Sequence, residues 1–94
     1  MESKTKKQKK SDQSLPNWFN GELYPEGGIV TNPFSGESYE LTAVELSMYD
    51  FIIGSQTAFD ILPHLATDKR INEFHEALRW FRENNPKAYY VLLD

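Results

Sequence analysis

Apolar residues between Leu41 and Leu62 recur on two faces of a helix rather than on one. At about 100° per residue, one broad face collects seven positions: Val44, Met48, Phe51, Ile52, Ser55, Phe59 and Leu62. Leu46, Tyr49 and Ile53 fall on nearly the opposite side. A helix of a small domain usually buries a single face, so the second face needs a cover. That cover is either the rest of this domain or another chain, and the sequence leaves both open.

Local signals set the ends of this helix. Thr42 and Glu45 have the spacing of a capping box, which places the first helical residue at Ala43. The helix is expected to run toward Leu62 and to end before Pro63, because the residue preceding a proline is displaced from helical geometry.

A second helix is predicted from Thr67 or Asp68 to Asn84, where Asn85 and Pro86 end it. Its apolar stripe has spacings of three and four residues: Ile71, Phe74, Leu78 and Phe81. Trp80 lies about 140° from the centre of that stripe. Two explanations compete for Trp80: either the Trp18–Phe19 segment or the C-terminal tyrosines fold over it, or it is an exposed anchor for a partner.

A β-hairpin is predicted from residues 27–31 and 37–41, joined by Asn-Pro-Phe-Ser-Gly. Asn32 can bond the turn backbone through its side chain, and Gly36 supplies a positive φ. If Asn32 pairs with Glu37, Val30 faces Tyr39 across the strands. Residues 22–24 are a candidate third strand at the edge of this sheet.

The C-terminal segment 87–93 is apolar enough to belong to the core, but its conformation is ambiguous. Asn85 and Pro86 favour a short helix, whereas Tyr-Tyr-Val-Leu-Leu favours a strand. The sequence therefore predicts an α+β fold, with an N-terminal β-hairpin packed on two antiparallel helices and closed by a short C-terminal helix or strand. Residues 15–94 are expected to form this single domain, and residues 1–14 a disordered lysine-rich tail.

Charge divides the chain into a basic start and an acidic remainder. Residues 1–10 carry a formal charge of +4 and residues 11–94 a charge of −8, which gives −4 overall. The tail lysines are candidate contacts for an anionic partner: Lys4, Lys6, Lys7, Lys9 and Lys10. The acidic body argues against nucleic-acid binding by the domain itself, because phosphates are neutralised by clustered Lys and Arg. Solvation of the tail is the simpler interpretation.

Few residues support catalysis or cofactor binding. The chain has 0 Cys and 2 His, so thiol chemistry is excluded. His64 and His75 lack a metal-ligand spacing, and no P-loop or nucleophile elbow occurs. We therefore expect a non-enzymatic protein without cofactor or metal. No apolar run approaches the ~20 residues of a membrane span, and no secretory signal is predicted.

Two segments resemble small uncharacterised proteins of tailed phages that infect marine bacteria and cyanobacteria. They are Val30–Asp50, with Asn-Pro-Phe-Ser-Gly, Glu-Ser-Tyr-Glu-Leu-Thr and Glu-Leu-Ser-Met-Tyr-Asp, and Leu78–Tyr90. The resemblance covers about half of the chain. It implies a host-cytoplasmic or virion location and a binding role, and it carries over no catalytic residue.

These observations favour a protein–protein interaction module, as a small phage accessory or assembly protein or as a homo-oligomer. The candidate interaction surface is Leu46, Tyr49, Ile53 and Trp80. One alternative is a nucleic-acid-associated accessory protein that uses the basic tail, with Trp18 and Phe19 as candidate stacking groups. A second alternative is a small enzyme with a carboxylate-based site.

Overall fold

The computed structural model describes residues 13–94. In chain order the elements are β1 (Gly28–Thr31), β2 (Ser38–Leu41), α1 (Ala43–Ile61), a 3₁₀ turn (Pro63–Leu65), α2 (Asp68–Asn84) and α3 (Pro86–Leu92). The two strands form an antiparallel hairpin, so the α+β prediction is confirmed. The predicted pairing is also correct, because Val30 lies opposite Tyr39 and the Asn32 amide donates to the Glu37 carbonyl at 2.8 Å.

The predicted third strand at residues 22–24 does not form. The backbone amide of Tyr24 donates at 3.0 Å to the hydroxyl of Ser47 on α1. That amide is therefore satisfied by a helix side chain and not by a strand, so the sheet keeps two strands. Gly27 has its own reason for being glycine, since a Cβ there would lie 2.0 Å from the Leu41 carbonyl oxygen.

Helix α1 begins at the predicted capping box. The Thr42 hydroxyl accepts from the Glu45 amide at 3.1 Å, and the Glu45 carboxylate accepts from the Thr42 amide at 2.9 Å. The helix ends at Ile61, and Pro63 opens the 3₁₀ turn that reverses the chain into α2. Thr67 caps α2 by accepting from the Arg70 amide, which settles the choice between Thr67 and Asp68.

The core lies where β2 and the three helices meet. Its fully packed apolar residues are Leu41, Met48, Ile52, Ala77, Phe81, Ala88 and Leu92. Residues 86–92 are helical, so of the two conformations predicted for the C-terminal segment the helix is correct. Asn85 caps α3 by accepting from the Ala88 amide at 3.2 Å, as the Asn-Pro pair indicated.

Glu45 is a buried carboxylate at the junction of three segments, with none of its surface exposed. Besides the Thr42 amide, it accepts from Gln13 Nε2 at 2.8 Å and from Asn85 Nδ2 at 3.1 Å. One side chain therefore joins the N-terminal segment, the start of α1 and the start of α3. Buried polar groups are stable only when bonded in this way.

The segment 13–19 packs across the helices. Trp18 and Phe19 each lie 5.5 Å, centroid to centroid, from Phe51 of α1. The Trp18 indole donates to Glu76 of α2 at 3.0 Å. Gln13 and Ser14 also contact the domain, and the rest of the tail for which disorder is predicted lies outside the described residues.

Candidate functional site

The three residues predicted on the second face of α1 are all half-buried. Leu46 approaches β1, where its Cδ2 would lie 3.9 Å from a Cβ placed on Gly28. The Tyr49 ring lies 6.4 Å from that of the core residue Phe81, and burial raises the pKa of Tyr49. Ile53 lies on the same face. The hairpin therefore covers part of this face, and the role of these residues in association stays a prediction.

Trp80 is also half-buried. Its indole donates to the Ser14 carbonyl at 3.0 Å, and its ring lies 6.4 Å from that of Phe81. Pro16 lines a shallow hollow beside it. Residues 14–16, just before the Trp18–Phe19 segment named from the sequence, therefore lie against Trp80, and the role of Trp80 as an interaction anchor stays a prediction. The predicted anionic-partner contacts Lys4, Lys6, Lys7, Lys9 and Lys10 lie outside the described residues.

The most exposed large apolar side chain of residues 13–94 is Phe34, at the tip of the hairpin. It is 97% exposed. Other large apolar residues are partly open as well, including Ile29 at 73% and Leu23 at 69%. None of these approaches the exposure of Phe34, whose ring is surrounded by solvent on essentially every side. Residues 13–94 of a single copy therefore give this phenyl ring nothing to pack against.

The turn that carries Phe34 is held by a set of short hydrogen bonds. The Asn32 side-chain oxygen accepts from the amides of Phe34 and Ser35 at 2.8 and 3.3 Å. Its Nδ2 donates at 2.9 Å to the carbonyl of Val91 in α3. Gly36 adopts the predicted positive φ, at 79°, and its amide donates to the Asn32 carbonyl at 2.8 Å. The tip is therefore tied both to itself and to the C-terminal helix.

A groove of about 380 Å³ lies between the second half of α1, the start of α2 and the chain at Gly21. Its apolar lining is Phe51, Gly54, Ala58, Phe59 and Leu65. Gly54 and Ala58 keep it open, because a Cβ placed on Gly54 would meet nothing within 4 Å. Gly21 closes one end tightly, since a Cβ there would lie 2.8 Å from the Phe19 ring.

Polar side chains surround this groove. Asp50, Ser55, Arg70 and Glu73 lie along it, and Glu73 is paired with Lys69 at 2.7 Å. Partial burial and the neighbouring Asp50 carboxylate raise the pKa of Tyr24. The groove thus has an aromatic floor and a rim of mixed charge.

Within residues 13–94, no three His, Asp or Glu side chains group closely enough to hold a metal ion. In the same region no helix is both long and apolar enough to cross a bilayer. An aromatic-floored groove with a few polar groups at its rim is a common form of recognition site.

Sequence reasoning missed both Phe34 and the groove. The sequence pattern places Phe34 in a turn, although a phenylalanine inside Asn-Pro-Phe-Ser-Gly is itself a usable signal, because turns are mostly built from small and polar residues. The groove had no such signal. It arises from residues distant in sequence, at 21, 50–59, 65 and 70–73. No family model, curated protein or solved structure matches the chain.

Proposed function

We propose that this protein is a non-enzymatic protein–protein interaction module, and that Phe34 at the hairpin tip is its principal contact residue. The observation that carries the proposal is the 97% exposure of a phenylalanine on a turn fixed by hydrogen bonds. Burying such a side chain in a partner is worth about 1.5–3 kcal/mol. In the free domain Phe34 does not gain this free energy, because its side chain stays exposed.

The rigidity of the turn supports binding rather than chance exposure. A contact residue on a pre-ordered loop loses less conformational entropy on association than one on a loop that must order. Asn32 orders the turn in two ways: its side-chain oxygen accepts hydrogen bonds within the turn, and its Nδ2 donates to the Val91 carbonyl. A small, stiff hairpin with an aromatic tip is therefore suited to inserting into an apolar recess.

The phage resemblance extends the same proposal. A small phage accessory or assembly protein would use such a tip to bind a neighbouring protein. The half-buried residues Leu46, Tyr49 and Ile53 contribute to the domain's own packing, so we place the main contact at Phe34 and leave them a subsidiary role.

A photo-crosslinking amino acid placed at position 34 tests this proposal. Introduced into the full chain in its native cells and in purified form, it is expected to yield a discrete covalent adduct that mass spectrometry identifies. The same group at position 29, exposed on the same hairpin but away from its tip, is the control and is expected to yield much less. Equal or absent labelling at the two positions would refute Phe34 as the contact residue.

A further inference from the structure

We infer that Phe34 inserts into the α1–α2 groove of a second copy of this chain. This inference rests on the proposed function, since it names the partner of the same contact residue. The contact is heterologous: the tip of one copy meets a different surface of the next. It joins the fully exposed aromatic residue and the apolar groove, two features that the described residues 13–94 of one copy leave without a partner.

The groove has the size and lining for a phenyl ring. Its volume is about 380 Å³, and Phe51 and Phe59 present ring surfaces to it. Aromatic rings prefer tilted or edge-to-face contacts at 4.5–7 Å between centroids, and this is how Phe59 already packs on Phe74, at 5.8 Å. Gly54 leaves open space on one wall, so an entering ring meets no side chain there.

One pair of opposite charges fits the same arrangement. The hairpin and its approach, residues 26–41, contain three Glu and no Lys or Arg. Residues 13–68 as a whole lack Lys and Arg, and the next two residues in sequence with cationic side chains are Lys69 and Arg70, of which Arg70 lines the groove. Lys69 neutralises Glu73 at 2.7 Å. When Phe34 is inserted, Arg70 can pair with Glu37 of the other copy. The Asp50 carboxylate in the groove repels Glu37 and so opposes the contact.

The predicted association is weak and depends on concentration. A phenylalanine buries roughly 150–250 Å², whereas stable interfaces bury about 1,200–2,000 Å² in total. Neighbouring hairpin residues add to the contact without reaching that area. We therefore expect a dissociation constant of about 0.1–1 mM. At this affinity the contact forms mainly where copies are brought close together.

Mixing two complementary variants tests the contact. Phe34→Ala removes the tip, and Gly54→Leu fills the groove without meeting any atom within 4 Å of its Cβ. In sedimentation experiments on the full chain, each variant alone is expected to remain a monomer at concentrations where the natural chain self-associates. An equimolar mixture is expected to form a one-to-one complex, because it contains one intact tip and one intact groove. Ile29→Ala and Gln56→Leu are the matched controls and are expected to associate normally.

A charge exchange keeps the test independent of Gly54. Arg70→Glu is expected to weaken association about tenfold, and mixing it with Glu37→Lys is expected to recover part of the loss. Thermal melting of every variant checks that the fold is retained. Self-association that survives Phe34→Ala, or a mixture that stays monomeric, would overturn the inference. Crosslinking from position 34 to a different protein would overturn the second-copy partner and still support the proposed function, whereas failure of crosslinking altogether would remove both.

Discussion

Glu45 offers the sharpest test of how this domain is held together. Its carboxylate has no exposed surface, and the three donors that reach it are Thr42 N, Gln13 Nε2 and Asn85 Nδ2, at 2.9, 2.8 and 3.1 Å. Glu45→Gln keeps the size and shape of the side chain but replaces one acceptor oxygen by an NH₂ group. Whichever way the amide is turned, at least one of the three donors then faces another donor.

The expected loss of stability follows from those three contacts. An unsatisfied buried donor costs about 1–3 kcal/mol, and a hydrogen bond to a neutral acceptor is weaker than one to a charged acceptor. Together these effects give a loss of about 2–4 kcal/mol for Glu45→Gln. Glu45→Ala removes all three contacts and the capping box, and its loss is expected to be about 3–5 kcal/mol. Domains of this size are stable by about 5–15 kcal/mol, so either change is severe.

Urea unfolding measures the effect. Far-ultraviolet circular dichroism follows the helices, and tryptophan fluorescence reports separately on the segment that carries Trp18. Glu83→Gln, which makes the same chemical change at an exposed position on α2, is the control and is expected to stay within about 0.5 kcal/mol of the natural chain. A Glu45→Gln loss below about 1 kcal/mol would show that the carboxylate does not join the three segments, and would refute the reasoning.

Four further outcomes are expected from the structure. Gly54→Ala should raise the free energy of unfolding by about 0.5–1 kcal/mol, because alanine favours a helix and its Cβ meets open space. Gly27→Ala should lower the free energy of unfolding by about 1–3 kcal/mol, because its Cβ would meet the Leu41 carbonyl oxygen. Equal or reversed shifts of the melting temperature in the two variants would contradict both predictions. Trp80→Ala should cost about 2 kcal/mol in urea unfolding, since the indole is half-buried under the N-terminal segment, and an unchanged midpoint would instead favour an exposed anchor. Burial raises the pKa of Tyr49 from its ordinary value of 10.0, so the folded state favours the neutral phenol. The contribution of Tyr49 to the free energy of unfolding should be fully present below pH 10 and should be lost as the pH rises through the folded pKa. Tyr49→Phe should make that decline shallower when unfolding is measured across the alkaline range.

The sequence by itself determined the elements whose signals are local. The Thr42–Glu45 pair, the Asn32–Gly36 turn and the Asn85–Pro86 step each act through hydrogen bonds or dihedral limits within a few residues. Their positions could therefore be predicted almost to the residue. The two-faced pattern of α1 likewise indicated a helix packed on more than one side, and the N-terminal segment, the hairpin and α2 supply those contacts.

The tertiary structure alone decided everything that depends on residues far apart in the chain. That Glu45 is buried follows from the arrival of Gln13 and Asn85, 32 and 40 residues away. Residues 22–24 do not become a strand because Ser47 takes the Tyr24 amide. Phe34 stays exposed although Asn32 in the same turn bonds to α3, and the groove exists because Gly21, α1 and α2 converge around it. Hydrophobic periodicity indicates which residues favour burial, but the packing of the elements decides which of these residues stay exposed.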